Sequence, residues 1–110
     1  MARILIVGYG DIGIRLGGLL AQKGHEVVGL RRNPPKDGGQ IPYFSADVTS
    51  VQSLSRLEGD FEHIFFAVAP DHRDEAHYRE IYEIGLQHLF ARFIKQTPRP
   101  HWIFVSSTAV

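Results

Sequence analysis

The 110-residue chain contains no cysteine, which excludes a disulfide framework, thiolate zinc sites and a catalytic thiol. It also lacks net charge. Its 12 basic residues balance 12 acidic ones, so no overall field draws in nucleic acid or an anionic membrane. No apolar run approaches the roughly 18 residues that a membrane-spanning helix needs. The opening "MARILIVGYGD" carries a basic residue and a short apolar run, but glycine and Asp11 interrupt it too early for a signal peptide. Internal repeats, low-complexity tracts and the G-x-S-x-G elbow of serine hydrolases are missing. The aromatics lack the basic interleaving of a nucleic-acid platform. The expectation is a cytoplasmic, soluble protein whose 44% hydrophobic content supports one domain over residues 1–110.

What is present is an alternation of two patterns. "RILIV" (Arg3 to Val7), "EVVGL" (Glu26 to Leu30), "HIFFAVA" (His63 to Ala69) and "HWIFVSS" (His101 to Ser107) are continuous apolar runs. They read as strands buried on both faces, as in a parallel sheet covered by helices. "IPYFSAD" is a weaker strand near an edge. Ile12, Leu16, Leu19 and Leu20 fall at i, i+4, i+7 and i+8, an apolar helical stripe. Tyr78, Tyr82, Leu86, Leu89 and Phe93 form a second stripe, which Pro98 stops. "TSVQSLSRL" reads as a short helix capped by Thr49 or Ser50. This order predicts an α/β fold: a doubly wound parallel sheet (the Rossmann fold), five strands in order 3-2-1-4-5, helices on both faces.

The chemistry concentrates at "VGYGDIG". Gly8, Gly10 and Gly13 stand G-x-G-x-x-G between the first strand and the first helix, the context a dinucleotide site requires. Gly8 allows the tight turn, Gly10 the approach of a pyrophosphate, and Gly13 close packing of helix on strand. Amides at the helix start, with the positive end of its dipole, then face phosphate. Tyr9, Asp11 and Ile12 belong to the same loop, Asp11 as a cap on the helix start. Gly17 extends the close-packed face, since each glycine inside a helix costs about 1 kcal/mol against alanine and calls for a steric reason. After the second strand, where NAD sites carry an acid for the ribose 2′-hydroxyl, stand Arg31 and Arg32. Two guanidinium groups suit a 2′-phosphate, so the expected cofactor is NADP, with NAD and a pair of solvated loop arginines as the alternatives.

Six histidines raise the question of metal. His72 and His77 are five apart and share no helical face. With Asp71, Asp74 and Glu75 they read as a solvated helix start, and no metal is expected. His25 reads as a turn residue.

The end, "WIFVSSTAV", resembles the fifth-strand signature of extended short-chain dehydrogenase/reductases, the NAD-dependent epimerase/dehydratase family. "ADVTS" resembles that family's Asp-hydrophobic pair after the third strand, which implies that Asp47 and the Val48 backbone meet adenine. "FFAVAP" is similar to the fourth-strand end along the cofactor, which implies a role for Ala67, Val68 and Ala69. "IYEIGLQHLF" is similar to the helix often written NVxGTxNLL, with Gly85 on its glycine. The resemblance makes Ser107 the residue that bonds a substrate hydroxyl or carbonyl; strand-end serines bonded to backbone are the alternative. Two departures stand out. The family's glycine motif is usually TGxxGxxG, and its Tyr-x-x-x-Lys pair is absent here. The chain stops at Val110, where the family continues with Tyr-Gly and the catalytic helix. The reading is the N-terminal part of a longer enzyme, inactive by itself.

Three functions compete. The first is the NADP-binding domain of an oxidoreductase, epimerase or dehydratase acting on a hydroxyl/ketone centre, with a sugar nucleotide as a family-like substrate. A non-catalytic dinucleotide sensor is the main alternative, and a nucleotide-gating module of the potassium-transport type ranks last. The partners expected are the cofactor, a small-molecule substrate in the full-length parent, and a second copy if the protein is a homodimer. Nucleic acid and membrane are not expected.

Overall fold

A computed structural model of the chain describes residues 1–8, 11–31, 41–57, 59–67 and 75–105. The elements run β1 (Arg3–Val7), α1 (Asp11–Gln22), β2 (Glu26–Arg31), β3 (Tyr43–Ser45), α2 (Val51–Ser55), β4 (His63–Phe66), α3 (Glu75–Glu80), a π-helical turn (Ile81–Gly85), α4 (Leu86–Phe93) and β5 (His101–Phe104). All strand pairs are parallel, in the order β3-β2-β1-β4-β5. That is the order expected, with β3 on one edge.

Strand alternation divides the sheet between two cores. On one face, Ile4, Ile6 and Val27 meet Leu16, Leu20 and Ala21 of α1. On the other, Leu5, Val7, Leu30, Ile64 and Phe66 pack with Leu54 of α2, Leu57 just after it, and Leu89 and Phe93 of α4. Phe61 meets Phe93 edge-on at 5.9 Å. Helices therefore cover both faces, α1 alone on its side among the described residues.

α1 ends where its backbone changes hand. Gly24 has φ +89°, with its N–H bonded to Ala21 O at 3.0 Å and that of His25 to Leu20 O at 3.2 Å. This pair of bonds is the Schellman closure, which needs a left-handed residue and so favours glycine. His25 is more than a turn residue: its Nδ1 accepts from Ala2 N at 3.0 Å and fixes the start of β1. Ser50, not Thr49, caps α2, accepting from Ser53 N. α4 ends at Phe93, ahead of Pro98.

Several expectations are corrected. β5 is not buried on both faces; Ile103 is 37% exposed and Phe104 49%. It is the second edge strand: Trp102 packs against Phe90 (4.6 Å) and Phe93 (6.3 Å) of α4, and the half-exposed Phe104 meets Phe66 at 6.1 Å. Leu19 leaves the α1 stripe at 59% exposure, because Gly13 and Gly17 take up the buried face. The second stripe is not one α-helix. The π-turn adds a residue to one turn and shifts its phase, so Leu89 and Phe93 reach the core while Tyr82 sits at its margin, edge-on to Phe66 at 5.6 Å. β4 and β5 end at Phe66 and Phe104.

Candidate functional site

In a sheet of this kind ligands bind beyond the carboxyl ends of the strands, near the point where strand order reverses. Here that point lies between β1, β2 and β4. The last paired row crosses the sheet as Phe44, Leu30, Val7, Phe66 and Phe104. One residue further, the ladder continues: Gly8 N donates to Leu30 O at 3.0 Å, Ala67 N to Val7 O at 2.8 Å, and Val105 N to Phe66 O at 2.9 Å. Neighbouring strands lie about 4.8 Å apart. Gly8 therefore stands between Arg31 and Ala67, three predicted residues brought together from three strand ends.

Gly8 has φ +81°, a conformation that a side chain resists, and it turns the chain off β1 toward α1. Asp11 and Ile12 are the first residues of α1, so the helix's unpaired amides and positive dipole end open onto this rim. Gly13 is buried in the first turn, where a close helix–strand contact is required. Arg31 is the half-buried last residue of β2, with Ser45 as its register partner; alternation places it on the α1 face with Val27 and Gly29. Tyr9, Gly10, Arg32, Val68, Ala69 and Ser107 lie outside the described residues, as do the side chains of Asp11 and Ile12.

Asp47 and Val48 follow β3 on the same rim and are firmly held. Asp47 Oδ1 accepts from Thr49 N at 2.9 Å and from Thr49 Oγ1 at 2.6 Å. Asp47 N donates to Ser53 Oγ at 3.2 Å, and Ser50 N donates to Asp47 O at 2.9 Å. Val48 is only 6% exposed. His88 Nδ1 lies 2.9 Å from Val48 O. A Cβ on Gly85 would fall 2.5 Å from Val48 Cγ2, so only glycine lets the helix come this close. The sequence reading missed His88. Its signal was the spacing: three residues after Gly85, it shares that helical face.

Among the described residues no group of three or more His, Cys, Asp or Glu could hold a metal ion, and no helix is long and apolar enough to cross a membrane.

Comparison with known proteins supports the fold. The family model described as NADP oxidoreductase, coenzyme F420-dependent, matches residues 3–83. No curated protein matches the chain significantly. Among solved structures, a protein of Methylobacillus flagellatus assigned to the NAD-dependent epimerases/dehydratases is 30% identical, with a TM-score of 0.73; the match covers 97% of this chain and 37% of that one. UDP-N-acetylglucosamine 4-epimerase of Bacillus cereus is 16% identical (TM-score 0.73, 94% of this chain, 36% of that one). A short-chain dehydrogenase/reductase superfamily protein of Agrobacterium tumefaciens with bound NAD is 19% identical (TM-score 0.74, 93% of this chain, 31% of that one). The last two show the shared fold. The chain thus spans about a third of these proteins, and the epimerase/dehydratase resemblance read from its motifs holds. With the glycine turn, the α1 terminus and the braced β3 end on one rim, the chain belongs to the NADP oxidoreductase, coenzyme F420-dependent, family and is an NAD(P)-binding Rossmann domain.

Proposed function

We propose that this domain takes NADP in preference to NAD and serves an oxidoreductase, epimerase or dehydratase acting on a hydroxyl/ketone centre, with sugar nucleotides as the first substrates to try. The observation that carries the reading is the adjacency of Gly8, Arg31 and Ala67 at the start of α1. Backbone amides at Gly10 to Gly13 would hold the pyrophosphate, and Arg31 with Arg32 the 2′-phosphate. Asp47 and Val48 would meet adenine, and the stretch Ala67 to Ala69 would lie along the cofactor toward its nicotinamide end. NADP supplies hydride transfer when bound. Ser107 would hydrogen-bond the substrate oxygen, but a neutral hydroxyl cannot carry the accompanying proton. General acid–base transfer contributes roughly 10²- to 10⁴-fold, and the chain has no Tyr-x-x-x-Lys for it. By this reading the 110 residues bind cofactor and turn over no sugar nucleotide alone.

The family's description favours a second reading, in which the hydride passes between NADP and coenzyme F420. Calorimetric titration at low and high salt tests the cofactor choice. A charge-assisted bond to phosphate contributes about 1.5–3 kcal/mol, roughly 10- to 150-fold in affinity. NADP should bind tighter by that factor, and Arg31→Asp should reverse the order. Equal affinities, or tighter NAD, would sink the proposal. Oxidation of NADPH by coenzyme F420, with none by keto-sugar nucleotides in the full-length parent, would favour the second reading.

A further inference from the structure

The peptide planes on either side of Val48 are pinned by different parts of the molecule. The Asp47–Val48 plane is held through its carbonyl by Ser50 N at 2.9 Å. The Val48–Thr49 plane is held at both ends: its N–H donates to Asp47 Oδ1 at 2.9 Å, and its carbonyl faces His88 Nδ1 at 2.9 Å. A carbonyl only accepts, so Nδ1 carries the proton and donates. This last bond reaches across 40 residues of sequence. Between the pinned groups, the N–H of Val48 has no hydrogen-bond partner among the described residues, although the residue is only 6% exposed. A backbone N–H without a protein acceptor is open to a ligand's acceptor. The helix comes near enough only because Gly85 closes a π-turn against Val48, and such turns recur at functional sites.

We infer that His88 is a positioning residue for the adenosine end of the cofactor. It anchors the Val48 carbonyl, and with Asp47 it orients the Val48 N–H toward an acceptor nitrogen of the adenine ring. The inference rests on the dinucleotide reading above. Its test separates the two by using 2′,5′-ADP, which carries the adenosine end and no nicotinamide. His88→Asn keeps an N–H donor where Nδ1 stands; His88→Ala removes it.

The expected result is calorimetric binding of 2′,5′-ADP to the wild-type chain, weakened about 3- to 10-fold in His88→Ala and restored to within about 2-fold in His88→Asn. In ¹⁵N spectra, the Val48 amide should shift on adding 2′,5′-ADP to the wild type and to His88→Asn. It should shift far less in His88→Ala at equal saturation. A general loss of fold would lower apo melting temperature in both variants and would leave no rescue by Asn. Unchanged affinity in His88→Ala overturns the inference, as does equal weakening in both variants. If the wild type binds neither 2′,5′-ADP nor NADP, the dinucleotide reading falls, and the role of His88 with it.

Discussion

The two ends of the sheet are built on opposite plans. At the amino ends of the strands, long side chains reach back to close the structure. Arg92 donates to Leu57 O at 2.6 Å and Gly59 O at 3.3 Å while its guanidinium stacks on Phe93 at 4.7 Å. Arg3 lies over the Phe61 ring at 4.7 Å. Gln96 accepts from Phe61 N at 3.1 Å and donates to Phe61 O at 2.7 Å and Pro98 O at 2.9 Å, standing in for a strand beside β4. At the carboxyl ends, Gly8 and Ala67 leave β1 and β4 with backbone and little else. At the amino ends side chains satisfy backbone. At the carboxyl ends, among the described residues, they brace the β3 end through Asp47, Ser53 and His88, while the middle strands leave through the small residues Gly8 and Ala67, which makes room for a ligand there. Stability and binding should therefore respond to different residues.

The sharpest way to break this contrast is at Phe61, which is 1% exposed and central to the larger core. Phe61→Ala should cost about 3–5 kcal/mol of stability, read by urea denaturation, while the fraction still folded keeps its NADP affinity. A loss of affinity in the folded fraction would show that the two ends are coupled. Gly10→Val should do the reverse: a branched side chain placed against the pyrophosphate should abolish the cofactor-induced rise in melting temperature with the apo melt nearly unchanged. Full retention of that rise would remove Gly10 from the phosphate site. The smallest of these effects belongs to Gln96→Ala, which strips two backbone groups of Phe61 of their partner. About 1–3 kcal/mol of stability should go, with cofactor affinity within 2-fold.

The same contrast explains what could be read from the sequence. The four apolar runs announced their strands because burial in a parallel sheet suppresses alternation, and the glycine spacing announced the β1–α1 turn because only that residue tolerates φ +81° there. Both signals are local. β5 misled because "HWIF" is as apolar as a central strand, and whether a helix covers its second face is decided elsewhere in the chain. Arg92 and Gln96 were illegible for a related reason, and His88 offered only its spacing from Gly85. All three spend a polar group on a backbone atom 33 to 40 residues away, and for Arg92 and Gln96 nothing in the neighbouring residues marks it. The π-turn was equally hidden, since it changes helical phase by one residue without any change in composition.

The position of β1 has a consequence for synthesis. The central strand is made before both of its partners, β2 on one side and β4 on the other. At about 5–20 residues per second, the ribosome needs on the order of 3–12 seconds after finishing Val7 before Phe66 is made. During that interval "ILIV" has at most one neighbour, and one open edge of its backbone faces water or whatever else is near. Nascent chains arrested before β4 should accordingly be digested quickly by added protease, and chains arrested well beyond β5 should resist. The segment that ends in the glycine turn is thus translated before either strand that pairs with it and is among the last to be enclosed.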